Sequence, residues 1–517
     1  MLWSTSPACH PCESIGPSPN PVPLEHVDSA GLTSMMPDQA GMNSQRTSRK
    51  SERWLLLILL LSLPLTNPWV RGDGVGYYAL ARAPLIQHNL DFTADYQHAN
   101  TGFRELRLDT NGQPLRDFRT STGHLDNHFS VGPAILWAPS LIIAHLGVLA
   151  ARALGSGVTA DGFSAPYRIA MALTTVVLGF LGLLLAFRVA RRYVEERWAL
   201  LAAIAVWGAT SLAVYMYFNP SWSHAQSAFV VALFFWYWLE TRADRTLFQW
   251  LFLGLVAGLM LDVYYVNVVL LLLLLPEALA AYASALRSPS FKMRALSAPL
   301  AKHAVFAFTI LVCMLPTFLA HSIIYGSPFA SGYIPIRFWH WKSPYLVQVL
   351  FSSDHGLFAW TPLIAFSFIG LFLFSRRNPS VGGPVLLAIL AFYYVIASYP
   401  DWDGISSFGN RFFVSLTVFL VLGLAVLLQR VAGYFRSRTS AVAAISSVLA
   451  CFVIWNLGLI FQWGTRLIPA RGQVVWGEVV HNQFVVVPRE LSSQVAEYLL
   501  RRRQMMNRIE QHDAPQR

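Results

Sequence analysis

Charge is scarce in this sequence. Of its 517 residues only 13% are Asp, Glu, Lys or Arg, about half of the roughly 25% that wets the surface of a soluble domain. A soluble globular chain is therefore excluded. Cysteine is scarce too. Of the four present, Cys313 and Cys451 fall inside apolar runs, where a lone cysteine behaves as a small core residue. Cys9 and Cys12 stand in a Pro- and Ser-rich stretch without the second ligand pair of a zinc site. No glycine-rich phosphate fingerprint lies between a strand and a helix, so nothing marks a nucleotide site. The alternating segments of about ten residues that build an outer-membrane barrel are missing as well.

What the chain has is apolar residue in blocks. Hydrophobic residues make up 55% of it and the mean hydropathy is +0.46. The stretches 198–217, 225–239, 304–324 and 412–428 carry few charges or none. A helix needs about 20 such residues to cross a bilayer, and in lipid the backbone must satisfy its own hydrogen bonds, which makes these blocks helices. The fold class is all-α, a polytopic membrane protein. Net charge is +11, yet the Lys and Arg punctuate the ends of apolar blocks. That is the positive-inside pattern and not a nucleic-acid footprint, so no nucleic-acid partner is expected.

Residues 1–53 lack apolar periodicity and are expected to form a disordered cytoplasmic tail, with Met42 as an alternative start before Arg46, Arg49 and Lys50. The transmembrane domain is expected over 54–463, with eleven spans near 54–70, 167–190, 198–218, 223–240, 247–262, 265–283, 303–324, 356–374, 384–399, 412–429 and 440–463. Basic residues before the first span and at Arg188, Arg191, Arg192 and Arg197 fix two cytoplasmic ends. Only one crossing out and one back fit between them. The apolar stretch 129–149 is therefore read as a membrane-dipping part of a large first outer loop, 71–166, with Gly132, Pro133 and Pro139 breaking the helix. Under this topology the cytoplasmic segments hold nineteen Lys and Arg, and the four short outer loops only three. The odd span count leaves the tail 464–517 outside, against the preference of Arg501, Arg502 and Arg503 for the cytoplasm.

Acids, histidines and aromatics collect on the outer side. Asp73 follows the first span among Gly72, Gly74 and Gly76. A carboxylate there suits either a general base at the membrane surface or a helix cap. Arg411 stands where an outer loop re-enters the membrane, placed to grip a lipid phosphate or simply to snorkel. His224 opens a span as a substrate contact, a metal ligand or an interfacial donor. The pair Asp354-His355 is able to take a divalent metal or a phosphate, although the sequence assigns no metal or other cofactor. Tyr77, Tyr78, Trp402 and Asp403 complete the candidate substrate contacts. Asp262, beside Tyr264 and Tyr265, reads as a solvated helix end.

Together these pieces resemble the GT-C superfamily of membrane glycosyltransferases, which includes protein O-mannosyltransferases and the aminoarabinose transferases of lipid A. The resemblance is carried by one span, a large outer loop with an early Asp, the segment Val131-Gly132-Pro133-Ala134-Ile135-Leu136-Trp137, and a second span ending in Arg191-Arg192. The phrases Ser352-Ser353-Asp354-His355-Gly356 and Ser407-Phe408-Gly409-Asn410-Arg411 extend it. It implies transfer of a sugar from a polyprenyl-phosphate donor to a lipid, glycan or protein acceptor, at the outer face of the inner (plasma) membrane. Asp73 would be the general base and Arg411 would neutralise the phosphate. Where many relatives carry an acidic pair, this chain has Asp73-Gly74. The alternative is a transporter or flippase of a lipid-linked substrate, which would place ionisable residues mid-membrane or show two repeated halves.

Overall fold

The computed structural model describes residues 50–287 and 293–513. The expected disordered tail, Met42, Cys9 and Cys12 lie outside the described residues, apart from the tail's last positions. Helix is the only regular secondary structure among the described residues, with two isolated bridges in the first loop, Leu108 with Pro114 and Arg119 with Leu125. In chain order the main helices are α1 (Lys50–Ser62), α2 (Asp73–Arg82), α3 (Gly132–Ala153), α4 (Ala165–Ala190), α5 (Glu196–Gly208) and α6 (His224–Thr241). They continue with α7 (Leu247–Val263), α8 (Tyr265–Arg287), α9 (Met293–Cys313), α10 (Leu315–Tyr325), α11 (Leu363–Arg377) and α12 (Pro379–Ser398). The last are α13 (Arg411–Ala432), α14 (Arg438–Thr465), α15 (Val487–Leu500) and α16 (Arg502–Asp513).

Among the described residues seven helices are long and apolar enough to cross a membrane: α3, α4, α8, α9 from Ala295 on, α12, α13 and α14. Their outer faces are bare of polar cover. Phe308 and Leu311 on α9 are 67% and 55% exposed, an apolar surface that water would not tolerate at this extent. The molecule is a multi-pass, membrane-embedded helical protein. α13 is its axis, since 89% of its apolar window is buried, against 6% for α9 at the rim. It packs on α11, α4 and α5. Gly370 of α11 meets Gly423 of α13 so closely that a Cβ on either would strike the other helix's backbone, the small-residue contact that lets helices approach without a hydrophobic drive.

Local sequence sets the ends. Thr246 and Gln249 form a reciprocal capping box at the start of α7, the Gln249 N–H donating to Thr246 Oγ1 at 3.2 Å and the Thr246 N–H to Gln249 Oε1 at 2.9 Å. α10 stops at Gly326, whose φ of +79° is a left-handed cap. The Ser437 side chain accepts from the Ser440 N–H to open α14.

Two expected spans differ, and so does the stretch 129–149, expected to dip into the membrane rather than cross it. Stretch 54–70 is helical only to Leu65, and residues 66–72 are extended or turned. The 13 residues of α1 reach about 20 Å, short of the roughly 30 Å apolar core. Pro64 and Pro68 remove donors where the helix would continue. Stretch 129–149 is not broken by its prolines: α3 runs unbroken for 22 residues. Pro133 stands in the first turn, where its missing N–H costs nothing, and Pro139 is absorbed within the helix. The span placed at 303–324 is two helices, α9 and α10, meeting at Met314.

Ion pairs join the basic helix boundaries of different helices. Glu52 holds Arg188 at 2.9 Å and Arg191 at 3.4 Å, Arg192 meets Glu240, Arg245 meets Glu277 at 2.6 Å, and Arg438 meets Glu195 at 3.2 Å. They share one end of the bundle. α6 runs from that end, near Glu240, to the other, at His224.

Candidate functional site

Asp73 and Arg411, 338 positions apart in sequence, meet at that other end: Arg411 Nη1 donates to Asp73 Oδ2 at 2.6 Å. Asp73 is the first residue of α2, behind Gly72, whose φ of +54° is a conformation glycine alone adopts without strain. Asp73 stands one residue past the cap position, which Gly72 holds, and its carboxylate accepts from Arg411. The helix-cap reading is thus replaced by a carboxylate turned toward Arg411, with the positive end of α2 beneath it. Gly74 lets Ser221 pass so close that a Cβ would strike the serine hydroxyl, and this brings the 219–224 turn against α2.

Arg411 begins α13 and is nearly enclosed, its side chain 10% exposed against 34% for Asp73. Its guanidinium lies 4.4 Å from the Trp222 ring and 5.5 Å from that of Phe412. Trp222 is itself fixed by Nε1–H donation to the Arg71 carbonyl at 2.9 Å. The Arg411 Nε is buried and without an acceptor. One edge of the cation is paired and another donor is free. An aromatic wall continues around it: Tyr264 stacks over Phe412 at 6.4 Å, and Tyr399 meets Phe412 edge-on at 6.2 Å. The Tyr77 hydroxyl accepts from Ser223 at 3.0 Å, and burial, countered in part by that bond, pushes its phenol up to about 12. Tyr77 is therefore a neutral donor at physiological pH.

The remaining candidates fall into three places. His224, 3% exposed, is boxed by Tyr215, Trp222 and Tyr264 at ring distances of 4.7, 6.2 and 5.8 Å, and its Nδ1 has no partner. Asp354, His355 and Asp403 converge, with one ligand atom from each within 4.8 Å of the others. The His355 Nδ1–H donates to the Asp403 carbonyl at 3.0 Å. Burial is the largest influence on His355 and pushes it down to about 4, so its imidazole is neutral. Asp354 is raised by burial and by Asp403. Trp402 packs on Tyr345 at 6.0 Å, while its carbonyl accepts from Asn410. Tyr78 faces elsewhere: its hydroxyl donates to Gly162 O at 2.6 Å, and it lines a cavity of about 220 Å³ with Trp69, His98, Phe163, Arg168 and Glu510.

Two further acids of the first long loop are structural. Asp95 is bound by Arg82 at 2.6 Å in a pair 2% exposed on each side. Asp126 accepts from Tyr325 at 2.7 Å and from His128 at 3.2 Å. No protein-family model matches this chain, and no curated protein matches it. The site therefore stands on its own geometry.

Sequence reasoning missed two things. Asp262 is not a solvated helix end: it is fully buried, accepts from the Thr317 hydroxyl, and leaves Oδ2 without a partner. The aromatic wall of Trp222, Tyr264, Tyr399 and Phe412 was legible only as aromatics at span boundaries. Nothing in their spacing showed that they face one cation.

Proposed function

We propose that the protein is a glycosyltransferase that moves a sugar from a polyprenyl-phosphate donor to an acceptor hydroxyl at the outer membrane face. The observation that carries this is the Asp73–Arg411 pair, in which a partly open carboxylate abuts a buried guanidinium with an unused N–H. A donor phosphate competes with Asp73 for Arg411 and takes the free edge of the fork, in the two-point grip that suits phosphate. Asp73 is released to accept the proton of the acceptor hydroxyl. As the acceptor oxygen bonds to the anomeric carbon, the carbon–phosphate oxygen bond breaks and its electron pair leaves with the phosphate. Arg411 stabilises that growing charge in a site screened from water by Trp222 and Phe412. The same aromatic faces suit a sugar ring and the first isoprene units.

The test is sugar transfer by purified protein from a radiolabelled polyprenyl-phosphate hexose or pentose to membrane acceptors. Asp73→Asn should lower transfer by at least about 100-fold, the usual contribution of a positioned base, with the protein still inserted and folded. Transfer that survives Asp73→Asn overturns the assignment.

A further inference from the structure

Beside Arg411, two turns from distant parts of the chain bring Asp354, His355 and Asp403 together. The feature is not merely acidic. His355 is fully enclosed, its Nδ1–H is tied to a main-chain carbonyl at 3.0 Å, and its Nε2 is buried with no hydrogen-bond partner. A histidine that ligates a metal nearly always donates its other ring N–H to a carbonyl or carboxylate, which fixes the tautomer and leaves the lone pair outward. His355 is held in that state. Asp354 likewise buries an oxygen, Oδ1, that finds no donor even though His355 Nδ1 lies 3.5 Å away. An unsatisfied buried polar atom costs about 1–3 kcal/mol. Two in one cluster call for a partner that the protein does not supply.

We propose that Asp354, His355 and Asp403 bind one divalent transition-metal ion, Zn²⁺ or Mn²⁺. One nitrogen and two carboxylate oxygens suit these ions better than the all-oxygen shell preferred by Mg²⁺. Two carboxylates with a neutral imidazole offset the ion's double charge. One oxygen from each carboxylate and one ring nitrogen of His355 lie within 4.8 Å of one another, and tetrahedral zinc needs about 3.4 Å from bond lengths near 2.1 Å. His355 approaches Asp354 through Nδ1, at 3.5 Å, so ligation through Nε2 shifts the ring as well as drawing the turns together by about an ångström. Three protein ligands leave a position open. Gly404, next to Asp403, lies so near Arg411 that a Cβ there would sit 3.0 Å from the guanidinium Nε. A cation this close to Arg411 is tolerated when an anion bridges them. The bridging role rests on the proposed reaction, with the donor phosphate as that anion; the metal binding does not.

The experiment uses the full chain, purified in detergent with its tag removed, stripped with EDTA, and titrated with Zn²⁺ and Mn²⁺. Wild type should retain one equivalent by elemental analysis and gain thermal stability with metal. His355→Gln and Asp403→Asn should each weaken binding at least tenfold and lose the thermal gain, while Asp401→Asn, a carboxylate two residues away, should change neither. Wild type without a stoichiometric metal, or variants that bind as well as wild type, overturns the site. Should His355→Gln fail to fold, Asp403→Asn carries the comparison. Metal bound without sugar transfer sustains the site and sinks the enzyme reading; transfer by protein that binds no metal does the reverse.

Discussion

Breaking the Asp73–Arg411 pair from its two sides should have unequal consequences. Asp73→Asn removes the carboxylate and leaves a guanidinium 10% exposed, stacked on Trp222, with no counter-charge in direct contact. Stranding one member of a fully buried pair costs about 3–5 kcal/mol. Asp73 is about a third exposed, and solvent screening reduces the loss to about 2 kcal/mol. Arg411→Met instead removes the charge, keeps an apolar chain against Trp222 and Phe412, and leaves Asp73 able to turn to water. Its cost should stay below about 1 kcal/mol, because apolar replacement of a buried ion is often neutral. The double variant should match Arg411→Met, giving a coupling energy of about 2 kcal/mol, the whole cost of Asp73→Asn. Thermal unfolding of the four proteins in detergent, followed by tryptophan fluorescence, reads this directly. Additive shifts, or Arg411→Met falling further than Asp73→Asn, would refute the buried-cation account.

Gly423→Val should abolish folded protein in size-exclusion chromatography, since its side chain would enter the backbone of α11 at Ser367 and overpacking of a tight helix contact costs about 1–3 kcal/mol or more. Acid should expose the Asp126 network. Burial pushes that carboxyl up, but hydrogen bonds from His128 and Tyr325 outweigh it and hold it below the ordinary carboxylate value. Its stability contribution is therefore full above about pH 4 and lost as pH falls through the lowered value, and Asp126→Asn should flatten the acid limb of a Tm-against-pH curve. Glu510 is raised by burial, which its bond from Trp69 only partly offsets. At neutral pH Glu510→Gln, which keeps an acceptor for Trp69, should leave Tm unchanged or raise it, whereas Trp69→Phe should lower stability by about 1 kcal/mol.

The apolar blocks and their basic flanks were legible because lipid leaves the backbone no alternative to helix, and because the charges must stay in water. The ion pairs of Glu52, Glu195, Glu240 and Glu277 gather those flanks at one end of the bundle. The end of α1 was less legible: hydropathy averages across Pro64 and Pro68, whereas the backbone cannot. Pro139 is the opposite case: a proline that breaks a soluble helix is carried inside a long apolar one. At the site, Asp73 and Arg411 could be named separately from glycines and a span boundary. Their contact, Asp262 with Thr317, and the ring around Arg411 depend on which faces of distant helices meet, and local spacing does not encode that.

The extended backbone leading to Asp73 is held by the far end of the chain. Trp69 donates to Glu510 at 2.6 Å, Asn67 to the Met506 sulfur at 3.2 Å, Tyr498 to Leu65 O at 2.7 Å, and Arg502 to Pro64 O at 2.6 Å. Trp69 and Glu510 are separated by 441 positions. A ribosome delivers the first of these partners long before the last, and the bilayer accepts α3 to α14 in the meantime. Chains cut short before residue 498 would therefore insert with their helices in place and still lack the bracket that aims Asp73. Delivery of residues 498–510, rather than insertion of the helices before them, is the event that matures the site.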